Sequence, residues 1–531
     1  MQFPNISPVA ISIFGFNIRW YALSYIFGFI FAFYYIKHLL RSRTNTQISY
    51  TELDDLFTNS ILGVILGGRI GYTLFYNFNY YISHPINILK IWEGGMSFHG
   101  GFIGCLISMY LWCKTNKKSF FQITDVMAMS APIGLFLGRI ANFINGELYG
   151  RITYSSIGII FPNSDGLPRH PSQLYEATTE GLILFIILFL LHKIKSIRNR
   201  YGTISFSFVG LYGLARICIE NFREPDAQIG FLKFGITMGQ LLTIPMILIS
   251  IIAIIYLFKK EPVIDEYVSS PLLENGSIKT RFFTRQNGIS DGVFTSANCK
   301  DYGTSDKKEN VKTNRSRLLK TLNLDANTSL ITLIQKHTNK VIFIDKPVKN
   351  INEYLKTEAD GIITNQKDLA IGILTADCVP LLLSDEKTGL IGAIHCGWKS
   401  IYKEIVHEAV KKMIDLGANV NNIKAALGPC LKQKSYEVDK DFMENIIAQN
   451  KEYKTLFSKK NEKKFLFNCS EYCILKLKAE GIKNIEVLPF DTYENSDLFF
   501  SYRRSIITKD YANNDPIDEG RQLSTIVNKS I

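Results

Sequence analysis

With 531 residues, the chain is about twice the length at which a single hydrophobic core stops growing, so two domains are expected. Its charge is unevenly spread. Residues 1–262 hold 21 Lys/Arg and 13 Asp/Glu, about 13% charged, whereas the remaining 269 hold 39 and 35, about 28%. A single soluble globule and a disordered chain are both excluded, and a membrane-type half precedes an ordinary soluble half. The net +12 divides as +8 and +4. Neither half interleaves a basic run with aromatics along one face, so nucleic acid is not an expected partner.

In the first half, apolar runs recur at about Ile18–Ile36, Leu56–Tyr76, Ser97–Cys113, Ile123–Ala141, Gln173–Leu191, Ile204–Phe222 and Thr237–Phe258. Each approaches the ~20 residues that a membrane-crossing helix needs. The first has no cleavable small-residue site and is followed by further runs, so it reads as a span and not as a removable signal. Seven predicted crossings put the two ends on opposite faces. Twelve Lys/Arg, from Lys37 to Lys260, follow the odd-numbered runs, against five (Lys90, Arg151, Arg169, Arg223 and Lys233) in the opposite loops. The positive-inside rule therefore predicts an outside (periplasmic) N-terminus and a cytoplasmic second half. The nine cysteines agree, having neither metal-finger spacing nor the density of a secreted domain.

Charges within the runs cost at least ~2.5 kcal/mol each at bilayer depth. Arg69 is equally well read as a structural pair or a functional group. Arg139 lies in Gly138-Arg139-Ile140-Ala141-Asn142-Phe143-Ile144-Asn145-Gly146-Glu147-Leu148-Tyr149-Gly150, which packs Arg, two Asn, Glu and Tyr into the outer end of a span. Arg216 and Glu220 stand one helical turn apart in the sixth run. Such a cluster suits an anionic headgroup drawn in from lipid.

This stretch resembles the signature of the phosphatidylglycerol–prolipoprotein diacylglyceryl transferase family, with Ala141 where Gly is expected. Arg19-Trp20-Tyr21, Gly94–Gly101, Arg169–Glu176 and Tyr212, Arg216, Glu220 with Phe222–Asp226 extend the resemblance along the half. It implies an all-α polytopic protein of a bacterial inner membrane. The implied reaction transfers a diacylglyceryl group from phosphatidylglycerol to the lipobox cysteine thiol of a preprolipoprotein, releasing glycerol phosphate, with no cofactor. Arg139 and Arg216 are then candidates for planar cationic forks on phosphate. His99 is the candidate thiol base. Glu147 and Glu220 would orient the arginines or assist the proton, and Tyr21, Asn142 and Tyr212 would contact substrate. The rival reading, a transporter, lacks support from any broken-helix pseudo-repeat.

Residues 261–280 are polar, contain Pro262, Pro271 and Gly276, and read as a tether between a membrane domain (1–260) and a soluble domain (281–531). Strands are predicted at Ile331–Ile334, Val341–Ile344, Ile371–Leu374 and Leu390–Ile394, and helices at Lys403–Leu416 and Cys469–Ala479. An α/β or α+β enzyme domain follows. His337, Cys378 and His395 lie beside such strands; together they would give three ligands and an open fourth position, as at a catalytic zinc.

From about Phe282 onward the sequence resembles the purine nucleoside phosphorylase family once labelled laccase-like or multicopper polyphenol oxidase. The resemblance rests on Thr284-Arg285, Gln335-Lys336-His337, Ala359-Asp360-Gly361, Thr375–Pro380, His395–Trp398 and Tyr502-Arg503-Arg504. It implies zinc on His337, Cys378 and His395, phosphorolysis of adenosine, inosine or methylthioadenosine, and adenosine deamination. Arg285 is the candidate for phosphate. Departures are Lys399 after His-x-Gly-Trp, Ser296-Ala297-Asn298, and a polar insertion at about Ser505–Glu519. The alternatives are a copper oxidase, which would favour more His or Met ligands, and a silent binding module.

Overall fold

The computed structural model describes all residues except 5, 14–15, 43, 47, 91–94, 163, 225–231, 233–234, 349, 513–516 and 531. Arg43, Gly94, Pro225, Asp226 and Lys233, named above, lie outside the described residues. The chain forms two compact units, Met1–Leu39 with Asp54–Val263, and Leu40–Leu53 with Ile264–Ile531.

After a hairpin of β1 (Val9–Ile13) and β2 (Phe16–Arg19), the first unit is helical. Its long helices follow the apolar runs: α1 (Trp20–Arg41), α2 (Tyr50–Phe75), α3 (Phe98–Thr115), α4 (Phe120–Ile144), α5 (Ser172–Lys193), α6 (Thr203–Ile219) and α7 (Met238–Phe258). Four of them, α1, α4, α5 and α7, are long and apolar enough to cross a membrane by length and composition. The expected seven crossings therefore reduce to four on that measure. The physical reasons are visible in α2, whose apolar stretch is interrupted by Asn59, Arg69 and four glycines, and in α6, which is only 17 residues long.

Arg69 on α2 resolves to a structural role. Its buried guanidinium donates to the carbonyls of Asn87 (2.5 Å), Ile88 (2.8 Å) and Lys90 (3.0 Å), with its carbon 5.0 Å from the Tyr81 ring. It thereby fixes the segment that leads to α3. Helices α2 and α3 approach until a Cβ on Gly67 would collide with the Gly100 carbonyl and lie 2.8 Å from Gly104 Cα, so only glycine fits there.

The second unit is a sheet-on-sheet sandwich with helices outside. Its strands are β3 (Tyr267–Val268), β4 (Ile278–Phe283), β5 (Leu330–Ile331), β6 (Val341–Ile344), β7 (Gly361–Thr364), β8 (Ala370–Thr375), β9 (Val379–Asp385), β10 (Leu390–Cys396), β11 (Lys424–Leu427), β12 (Glu437–Asp439), β13 (Phe457–Lys459), β14 (Lys464–Phe467), β15 (Asn484–Val487) and β16 (Gln522–Asn528). One sheet runs β3-β4-β16-β8-β5, the other β15-β11-β9-β10-β7-β6, and β12-β14-β13 form a small third.

Period-2 alternation assigns the faces. Leu382, Ala393, Ala426 and Ile362 face a core shared with Ile371, Ile373, Phe282 and Ile526 of the first sheet. Their neighbours Leu381, Leu383, Ile394, Ala425 and Leu427 turn the other way, toward α8 (Ile405–Asp415) and α9 (Cys469–Ala479). Strands buried on both faces read as continuous apolar runs, which is why β8 and β10 are conspicuous in the sequence.

The expected tether does not survive as such. Within 261–280, β3 and the start of β4 are formed, and Ser270 and Glu274 are buried. Glu274 Oε1 accepts from the Thr280 N–H (2.7 Å) and pairs with Arg281 (3.2 Å). Residues 40–53 join this unit, where the Asn45 N–H donates to the Tyr267 carbonyl (2.8 Å).

Candidate functional sites

In the first unit, α4 supplies Arg139 and Asn142, α5 supplies Glu176 and Glu180, and α6 supplies Tyr212 and Arg216, with Glu220 capping its end. Helix α5 is α-helical to Glu176, π-helical over Ala177–Ile183, and α-helical again from Leu184. Such single π turns are frequent at functional sites.

Arg139 Nε lies 2.9 Å from Glu176 Oε2 and its Nη2 3.6 Å from Glu180 Oε2. Arg216 Nη1 reaches the same Glu176 oxygen (3.1 Å) and Glu180 Oε1 (3.4 Å), while its Nη2 pairs with Glu220 Oε1 (2.9 Å). Arg223 adds a third guanidinium, 3.5 Å from Glu176 and 3.7 Å from Glu220. Three cations thus face three carboxylates that are almost wholly buried. The signature loop ties this together. The Gly150 N–H donates to the His170 carbonyl (2.8 Å) and that of Arg151 to Phe222 (2.9 Å), while Arg151 Nη2 donates to the Glu220 carbonyl (3.0 Å).

Of the expected site residues, Arg139, Arg216 and Glu220 are brought into one cluster. Glu147 accepts from Asn142 Nδ2 (2.9 Å) and Asn145 Nδ2 (3.2 Å), holding the turn after α4, and among the described residues no arginine pairs with it. His99 is exposed on the first turn of α3, a different helix from the cluster. Tyr21 opens α1 with its hydroxyl 3.2 Å from that of Tyr25, and Tyr212 stacks on Phe208. Glu176 and Arg223 lie in matched motifs and Glu180 only in an apolar run, and none of the three carries an assigned role in the sequence reading. Their signal was a glutamate pair four apart in an apolar run, which is costly unless paired.

In the second unit, two loops and the end of a strand converge. His337 follows β5 in a left-handed backbone conformation (φ 57°), Cys378 lies in the β8–β9 turn, and His395 is the penultimate residue of β10. Their donor atoms all lie within 4.8 Å of one another, with Cys378 Sγ 3.7 Å from His337 Nε2. Tetrahedral ligands at zinc bond lengths stand about 3.3–3.8 Å apart, so the set fits a zinc-sized ion after slight closure.

One carboxylate organises two ligands. Asp360 Oδ1 pairs with His395 Nδ1 (2.8 Å), leaving Nε2 for the site, and also accepts from the His337 N–H (3.0 Å). Its Oδ2 accepts from the Thr338 N–H (2.7 Å) and hydroxyl (2.8 Å). Burial would raise the Asp360 carboxyl, but these donors hold it down at about 2. Gly397 is required: a Cβ there would lie 2.6 Å from the His337 ring and 3.2 Å from Cys378 Sγ. Burial would likewise raise the Cys378 thiol, but His395 and His337 bring it down to about 6.

Arg285 donates to the carbonyls of Thr295 (2.5 Å) and Ser496 (3.4 Å), with its carbon 4.4 Å from the Phe500 ring. Burial and the nearby Arg504 charge lower it to about 10. Lys399 is exposed over the Trp398 ring. The insertion is anchored at its end by a buried pair, Lys300 with Asp518 (2.8 Å).

Residues 8–256 match the family model described as Prolipoprotein diacylglyceryl transferase, and residues 279–529 the model described as Multi-copper polyphenol oxidoreductase laccase. Proteins named phosphatidylglycerol–prolipoprotein diacylglyceryl transferase from Rickettsia felis and Rickettsia bellii are 53% and 52% identical to the chain over 250 and 256 residues. Those alignments cover 47% and 48% of this chain and 96% and 97% of theirs. A crystal structure of a Neisseria meningitidis protein described as DUF152 matches with 25% identity and a TM-score of 0.43, covering 50% of this chain and 100% of that one.

Proposed function

The chain belongs to the prolipoprotein diacylglyceryl transferase family through its first half, and on that premise we propose that it transfers the diacylglyceryl group of phosphatidylglycerol to a lipobox cysteine at a bacterial inner membrane. The observation that carries this is the convergence of Arg139, Arg216 and Arg223 at the signature loop. In the reaction the thiol sulfur bonds to the glyceryl carbon, the carbon–oxygen bond to phosphate breaks, and glycerol phosphate leaves with the electron pair. Charge grows on phosphate as that bond breaks, so planar guanidinium forks stabilise the transition state more than the bound lipid. His99 is the group assigned to take the thiol proton, and Tyr21, Asn142 and Tyr212 line the path of the substrates. The test is transfer from labelled phosphatidylglycerol to a lipobox peptide by the purified full chain, and no labelled thioether product would refute it.

The second half is a purine nucleoside phosphorylase in this reading, with zinc on His337, Cys378 and His395. What supports it is the donor set, its carboxylate support and the cradle at Gly397. Zinc would supply Lewis acidity or an activated water at its open position. This chain's own residues do the rest: Asp360 sets the His395 tautomer, and Arg285 near Arg504 offers an anion-attracting corner for phosphate. Phosphate oxygen bonds to the ribose carbon as the glycosidic bond to purine breaks. Adenosine deamination is the second activity to assay. Metal analysis of the full chain separates zinc from copper, and incubation with inosine and phosphate should release hypoxanthine. We place the domain division near residue 260 and the second half in the cytoplasm. The basic loops support that orientation.

A further inference from the structure

The arginine–glutamate cluster is electrically complete as it stands, which raises the question of how an anionic headgroup enters it. Its three carboxylates are held unequally. Glu220 is satisfied on both oxygens, by Arg216 (2.9 Å) on one and the Thr237 hydroxyl (2.8 Å) on the other. Glu176 concentrates all three guanidiniums on Oε2, two of them at 2.9–3.1 Å, and leaves Oε1 without a hydrogen bond. Glu180 has only long contacts, 3.4 Å to Arg216 and 3.6 Å to Arg139, and its Oε2 makes no hydrogen bond although the residue is fully buried. Close packing of Gly181 on Phe136, where a Cβ would lie 2.6 Å away, presses this part of the π turn against α4.

We propose that Glu180 is the exchangeable counter-ion of the arginine clamp: the lipid phosphate takes the guanidinium N–H groups now aimed at Glu180, and Glu180 takes up one proton as it is displaced. This rests on the reading of the first half as a phosphatidylglycerol-dependent transferase. A monoanionic phosphodiester added to three Arg and three Glu leaves one buried negative charge in excess, and a buried unpaired carboxylate is costly enough to protonate instead. Among the described residues, the groups that face Glu180 are Arg139 from α4, Arg216 and Tyr212 from α6, and Glu176 on its own helix. Both arginines are claimed by the phosphate on binding, and Glu176 repels a second anion. Glu180 is therefore a positioning residue, acting through the arginines.

Binding that takes up a proton weakens as pH rises, by up to tenfold per pH unit. The full chain, reconstituted in nanodiscs with and without phosphatidylglycerol, should show this slope in its apparent Kd for that lipid, and in the KM for transfer. Glu180→Gln carries the neutral form permanently, so it should bind phosphatidylglycerol more tightly and flatten the slope. Glu176→Gln should weaken binding instead, because it removes the shared anchor of all three arginines. A purely structural Glu180 would give a Gln variant with the wild-type pH slope, or one that loses affinity as Glu176→Gln does; either overturns the proposal. Normal phosphatidylglycerol binding with the predicted slope but no transfer would instead refute the transferase reading and leave the exchange standing. A wild type with no affinity for the lipid would refute both.

Discussion

At the histidine–cysteine centre, three donor atoms are fixed by two strands, a left-handed turn, one glycine and one carboxylate. In the arginine–glutamate cluster, long side chains are held mainly by one another, with Glu176, Glu180 and Gln173 each leaving an oxygen without a hydrogen bond. The first arrangement suits an ion whose geometry never changes, and its rigidity comes from backbone. The second suits a ligand that brings its own charge and must be exchanged every turnover. Pre-organisation is therefore geometric in one half and electrostatic in the other.

The sharpest way to break this contrast is at Arg139. Arg139→Ala should lower diacylglyceryl transfer at least ~100-fold with the protein still inserted. Arg139→Lys should recover little, since a point charge cannot span Glu176 and Glu180 together. Near-normal transfer in either variant would make the cluster a structural network.

On the other side, Cys378→Ala should strip metal from the full chain and abolish nucleoside turnover while leaving lipid transfer within about twofold if the halves act separately. Asp360→Asn keeps all three ligands yet should weaken metal affinity ~10–100-fold, because it loosens both histidines at once. Metal content after dialysis against graded chelator measures both, and unchanged zinc in Cys378→Ala would remove the site.

Acidity sharpens the comparison further. Without metal, Cys378 sits at about 6 and His395, which burial alone would lower, is carried by Cys378 and Asp360 up to about 9. Between those values the pair is thiolate and imidazolium, so metal binding must expel the His395 proton. Affinity should rise about tenfold per pH unit from 6 to 9, flatten above 9 and fall more steeply below 6. Lipid binding runs the opposite way in the exchange proposed above. The smallest effect should come from Gly397→Ala, whose Cβ displaces the His337 ring; a stability loss of about 1–3 kcal/mol, read by denaturant melts, is expected.

Much of this was legible from residues alone. Val341–Ile344 and Cys469–Ala479 form the predicted elements with the predicted ends, because short β-branched runs and a 3.6-residue period leave few alternatives. The three metal-site residues are joined in the sequence only through the family resemblance, since their convergence depends on a sheet order that no local pattern encodes. Glu180 was illegible as a role, because a glutamate in an apolar run declares a cost and not its partner. Residues 261–280 misled for a related reason: composition counts polar side chains, whereas Glu274 and Ser270 are buried by bonds to Thr280, Arg281 and Glu486.

Strand β16 lies between β4 and β8, pairing Ser524 with Phe282 and Leu523 with Leu374. During synthesis, β4 and β8 leave the ribosome some 240 and 150 residues before their shared partner, and until it arrives each presents an open edge. The first half is complete and able to enter the bilayer throughout that interval. A premature stop between Thr375 and Gln522 would therefore yield a complete membrane half trailing an unclosed sheet, a natural substrate for quality-control proteolysis and not a milder version of the two-domain protein.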